Sequence, residues 1–282
     1  MSEARTRLNE NGNVVPFKLS DVIAEFNHVD DPDVFERMKT TPALRAALEM
    51  IRPENWWGTG LNPKVLFAIA RDGGIPVAWV PSSAVLLELA TAPDRNARMS
   101  VLLARKQEIV DHCKVVIRHC DDPWVADMHA LTGKAIAAYE DGHREAAMAL
   151  AVSVGESLAI WASTPRIQGF KSEAEQEAWE KSRKKVGKYG WATLELSIVG
   201  ADFSQYKVPR QVLIAPIHRF FTKWYPDSGQ EPPDGLSRHV VAHQPTQQHS
   251  SPENALLSLM LVTSLLREMQ AWSEEVRSMD GG

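Results

Sequence analysis

The sequence predicts an all-α fold. Residues 255–269 are apolar nearly all round, with Leu256, Leu257, Met260, Leu261, Leu265 and Leu266 among them, as expected of a helix in the middle of a bundle. Residues 124–140 and 143–163 read as a helical hairpin broken at Asp141-Gly142. Its second arm is rich in small side chains, including Ala147, Ala151, Gly155 and Ala159, which let helices approach closely. Only Ile75 to Val80 reads as a strand, and Pro76 confines it to an edge or an isolated extended segment.

Taken in order, residues 1–19 mix charge, Asn and Gly without periodicity, and predict a mobile arm tied down at 14–17. Ser20 is a cap for a helix over 21–27, and 33–39 and 42–51 predict two more short helices. Glu54 to Gly60 is loop-like, and 63–71 is helical behind Pro63. Ser83 is placed to cap a helix over 84–90, and one long helix is expected from Pro93 to about Cys120. After the hairpin, Ser172 caps a charged helix over 173–186 that stops at Gly187-Lys188-Tyr189-Gly190. Residues 209–225 are amphipathic, and Pro216 kinks that helix or marks its true start. Ser251 as cap and Pro252 at the first position open the last helix. The organisation expected is an arm over 1–19, a helical N-terminal region over 20–121 and a C-terminal bundle of four to five helices over 122–282.

With 282 residues and 44% apolar content, the chain buries a core without disulfides or metals. Its only cysteines, Cys113 and Cys120, would lie about 10 Å apart on one helix, too far for a disulfide. That suggests a reducing compartment. No apolar run has signal-peptide or membrane-span length, so a cytoplasmic location is expected. A net charge of −5 argues against broad DNA binding, which needs a basic face. RNA at a small basic site is compatible with it. No Walker loop, Rossmann glycine pattern or metalloprotease helix motif is present.

The chemistry-bearing segment is Gly235-Leu236-Ser237-Arg238-His239-Val240-Val241-Ala242-His243. Arginine grips a phosphate with a planar pair of charge-assisted hydrogen bonds. Histidine exchanges protons near neutral pH. Cleavage of RNA by its own 2′-hydroxyl needs a base, an acid and a cation for the developing charge, and no metal or cofactor. The same residues suit a second role, as satisfied polar groups that hold a turn against a bundle.

The spacing Arg238-x4-His243, with His239 directly after the arginine, resembles the HEPN superfamily, α-helical proteins named for higher eukaryotes and prokaryotes nucleotide-binding. Its ribonuclease members carry Arg-x4–6-His near the C-terminal helices of a four- to five-helix bundle. The resemblance covers about the last 160 residues, in architecture alone. It implies that Arg238 holds the scissile phosphate, that His243 acts as base or acid and that His239 orients either group. It also implies a homodimer with a composite site, and a role as a toxin or an effector against phage. A non-catalytic helical protein that dimerises and recruits a partner is the alternative.

Other candidates are weaker. Lys181, Arg183, Lys184, Lys185 and Lys188, followed by Tyr189 and Trp191, read either as a phosphate track with stacking rings or as a solvated face balanced by nearby glutamates. His218-Arg219 could line the motif's cleft or lie on the surface, and His249 is a third imidazole near the site or merely exposed. Arg105 and His112 share a permitted spacing, x6, inside the expected long helix, and serve as a chance control. His112-Cys113 and His119-Cys120 lie two turns apart, unlike metal ligands on one helix. Trp56-Trp57 is a recognition platform or a small satellite core.

Overall fold

The structure, a computed structural model, describes residues 5–8, 14–17, 53–162, 208–222 and 224–280. The expected helices over 21–27, 33–39, 42–51 and 173–186 lie outside the described residues. The described part is all-α apart from an N-terminal hairpin of β1 (Arg5–Leu8) and β2 (Val14–Phe17). The two strands pair antiparallel, with Arg5 opposite Phe17 and Leu8 opposite Val14. Val14–Phe17, where the sequence places a tie for the arm, pairs with Arg5–Leu8. Thr6, Val14 and Val15 are β-branched, as strands favour.

Helix α1 (Pro63–Gly73) starts at Asn62, whose side chain accepts from the Lys64 amide, and stops at Gly74 in the left-handed region. Helix α2 (Ser83–Thr91) is capped by Ser82, one residue earlier than expected. Ser83 instead donates its hydroxyl to the Asn55 carbonyl at 2.9 Å. The long helix expected up to Cys120 is two: α3 (Arg95–Ala104), capped by Asp94, and α4 (Lys106–Ile117). The break falls at Arg105, with φ −103° and ψ 14°. No Gly or Pro marks it. Arg105 is held there by Glu108 at 2.7 Å and Glu88 at 3.5 Å. Tertiary contacts override helical continuity.

The segment Ile75–Val80 is extended and mostly buried but is not a strand. Side chains serve the carbonyls of Val77 and Ala78 and of the adjoining Pro81. Asn55 Nδ2 donates to Val77 O at 3.0 Å and to Pro81 O at 2.8 Å, Trp56 Nε1 to Val77 O at 2.7 Å, and Ser264 Oγ to Ala78 O at 2.7 Å. Trp79, at φ 69°, interrupts the extended geometry.

Helices α5 (Ala126–Glu140) and α6 (Arg144–Ala162) form the expected hairpin, turned at Gly142 with φ 85°. Past them, α7 (Val208–Ile214) and α8 (Ile217–Phe220) are separated at Pro216, which has no amide to continue the ladder. Helix α9 (Arg238–His243) is short, and α10 (Pro252–Asp280) is long. Ser251 Oγ accepts from the Asn254 amide at 3.2 Å, as its capping position requires.

Helix α10 runs through the centre and packs against α3, α4, α5 and α6. Leu256, Leu259, Met260, Val262 and Leu266 are completely buried, each contributing about 2 kcal/mol of transfer free energy. One hydrophobic cluster extends without interruption from Trp56 to Met269. Among the described residues no helix is long and apolar enough to cross a membrane.

Candidate functional site

The motif opens a helix. Gly235 turns the chain at φ 94°, a conformation that favours glycine. Ser237 is extended and completely buried, and Arg238 to His243 form α9 against α6. Ser237 makes no side-chain cap. Its amide donates instead to His249 Nε2 at 3.3 Å. The acceptor nitrogen carries no proton, so the neutral ring holds its hydrogen on Nδ1. Burial is the largest cause that lowers the pKa of His249 from the ordinary 6.5. His249 is therefore a fixed strut at the N-terminus of the motif helix, 6% exposed. It is not an exposed imidazole.

One helical turn brings the three motif side chains together. Arg238 Nη1 lies 3.4 Å from His243 Nε2. A guanidinium only donates, so this approach can be a hydrogen bond only where Nε2 carries no proton. The His239 and His243 rings lie 5.7 Å apart between centroids. His239 is buried, with Tyr225 edge-on to it at 5.9 Å, whereas His243 is exposed.

The other side of the arginine is occupied. Arg238 Nη2 donates to Glu156 Oε1 of α6 at 2.7 Å, with the side chains only 15% and 23% exposed. Glu156 and Tyr225 are members of the site that the motif spacing alone does not reveal. They arrive from elements distant in sequence.

The remaining candidates fall elsewhere. His218 is exposed on α8. Arg219 packs its side chain over Gly74 and shares a small cleft with Arg95, Gly235 and Leu236. Burial, and then the charge of Arg219, lowers the pKa of Arg95, while Asp234 and Glu253 oppose the shift. Neither His218 nor Arg219 bonds to the three motif side chains among the described residues. Lys184, Lys185 and Lys188 lie outside the described residues. Arg105 engages Glu88 and Glu108, in keeping with its role as chance control.

Cys113 and Cys120 are buried and not joined in a disulfide, and burial pushes the Cys113 thiol up to about 12, which leaves Cys113 no thiolate for chemistry. Among the described residues no group of three histidine, cysteine or carboxylate side chains is placed to hold a metal. Trp56 is buried and donates to Val77 O, so it is a core residue. Trp57 is 42% exposed.

Comparison with protein-family models, with curated proteins and with solved structures finds no match to this chain.

Proposed function

We propose that the chain is a metal-independent ribonuclease of HEPN type, a toxin or defence effector of the cytoplasm, with its site at Arg238, His239 and His243. The observation that carries this reading is the 3.4 Å approach of Arg238 Nη1 to Nε2 of an exposed His243. A cation and a proton acceptor thus face one point on the surface. His243 takes the 2′-hydroxyl proton, the 2′-oxygen attacks the adjacent phosphorus, and Arg238 offsets the charge that builds on the phosphoryl oxygens. The bond to the 5′-oxygen breaks, and that oxygen collects a proton from an acid. In a homodimer a second copy of the motif supplies it. His239, buried between Tyr225 and His243, orients the exposed imidazole. Lys184, Lys185 and Lys188 would track the phosphate backbone, with His218 and Arg219 as further RNA contacts.

The Arg238–Glu156 pair favours a second reading, a non-catalytic helical protein that dimerises and recruits a partner. A phosphate must compete with a carboxylate 2.7 Å away.

RNA cleavage in EDTA by wild type, Arg238→Ala and His243→Ala separates the two. Loss of at least a hundredfold in both variants, against metal-independent wild-type cleavage, supports the nuclease. Equal cleavage by all three marks a contaminant and removes the catalytic assignment. No cleavage by any of them favours the non-catalytic reading.

A further inference from the structure

Tyr225 is the most exposed large apolar side chain in the described core region, 58% exposed. Its position is fixed by its surroundings. The preceding Trp224 is buried and donates its indole N–H to Gln230 O at 2.9 Å. The carbonyl of Tyr225 accepts from the Ser228 amide at 3.0 Å and from the Ser228 hydroxyl at 2.6 Å. Pro226–Ser228 form a short 3-10 turn closed by Gly229 in the left-handed region. Backbone and neighbour are therefore ordered before anything binds, while the ring stays in water.

A ring so held and so exposed has a face open to stack on a planar ligand. One edge of the contact is known, because His239 packs against Tyr225 at 5.9 Å and 71°. His239 in turn touches His243, and His243 faces Arg238. The tyrosine thus begins a continuous row that ends at the phosphate-gripping pair. Sequence-tolerant recognition of single-stranded RNA uses this arrangement, an aromatic face beside a phosphate contact.

We infer that Tyr225 is a stacking platform for the nucleobase next to the phosphate held by Arg238. This rests on the RNA reading of the motif. The ligand is a single-stranded ribonucleotide segment, since a paired base has no open face to offer. Tyr225 contributes to binding and to the choice of cleavage position, and takes no part in proton transfer.

The test uses the full chain and a short 2′-O-methyl RNA carrying 2-aminopurine, which cannot be cut because its 2′-oxygen is blocked. Wild type and Tyr225→Phe bind it alike and quench the fluorophore by stacking. Tyr225→Ala binds it about tenfold more weakly, without quenching. On unmodified RNA the same change raises KM and blurs the cleavage pattern. Equal binding and quenching by Tyr225→Ala overturns the inference, as does wild type that binds no RNA. Cleavage of unmodified RNA by wild type and His243→Ala reads the catalytic proposal separately. Quenching without cleavage keeps the platform and removes the nuclease.

Discussion

Arg238 Nη2 and Glu156 Oε1 sit 2.7 Å apart and join the first residue of the motif helix to the middle of α6. Both side chains are mostly out of water, so each charge depends on the other. Glu156→Ala and Arg238→Ala should each lower stability, and the double variant should cost less than their sum. A coupling of about 1–2 kcal/mol in a denaturant double-mutant cycle is expected. Additive losses would mean that the pair contributes nothing to fixing α9.

The strut beneath that helix carries a pH signature. Burial lowers the folded-state pKa of His249, and burial lowers that of His112 also. For a base with a depressed folded pKa, the unfolded chain binds more protons between the two pKa values. Stability is then fully present above about pH 6.5, the ordinary value, and falls as the pH drops toward the folded pKa. His249→Ala should shrink that slope and leave the part due to His112. It should also cost about 1–3 kcal/mol at pH 7.5, because the Ser237 amide is left buried without an acceptor. Urea melts at pH 7.5 and pH 5.5 measure both effects, and an unchanged slope would remove His249 from the linkage.

What the sequence discloses and what it hides divide along local and distant causes. Helix starts at Pro63 and Pro252 are legible, because a cap and a proline act within one turn. The burial of α10 follows from its apolar circumference. The break at Arg105 is illegible, since neither Gly nor Pro marks it; Arg105 there pairs with Glu88 of another helix at 3.5 Å. Ile75 to Val80 has the composition of a strand, but its carbonyls are taken by Asn55, Trp56 and Ser264, the last of these 186 positions away in the chain. The N-terminal hairpin leaves a local signal in the β-branched Thr6, Val14 and Val15. In the candidate site the Arg238-x4-His243 spacing is readable. Glu156, 82 positions distant, reaches the motif only through packing.

Gly235 tests whether the entry to the motif helix is strained for other residues. Its φ is 94°, and an added Cβ would lie 2.8 Å from Arg95 Nη2. The guanidinium tip can move aside, so the backbone conformation carries most of the cost. Gly235→Ala should lower stability by about 1–2 kcal/mol, and Arg95→Ala in the same chain should restore only a minor part. Full restoration by Arg95→Ala would show instead that the steric contact dominates.

Asn55 and Ser264 make the sharpest test of the extended segment, because their roles differ by the number of partners. Asn55 is 4% exposed and donates to two carbonyls, those of Val77 and Pro81. Val77 O keeps Trp56 Nε1 when Asn55 is cut back, but Pro81 O loses its Asn55 donor. Asn55→Ala therefore removes two hydrogen bonds, one of them to a carbonyl that keeps a second donor, and opens a small void. The expected loss is about 2–3 kcal/mol. Ser264→Ala removes the 2.7 Å hydroxyl donor to Ala78 O and little volume, for about 1 kcal/mol. Calorimetry on both variants should rank Asn55→Ala as the more damaging. The reverse order, or no loss in either, would mean that water or backbone satisfies these carbonyls and that Ile75–Val80 is held by its apolar side chains alone.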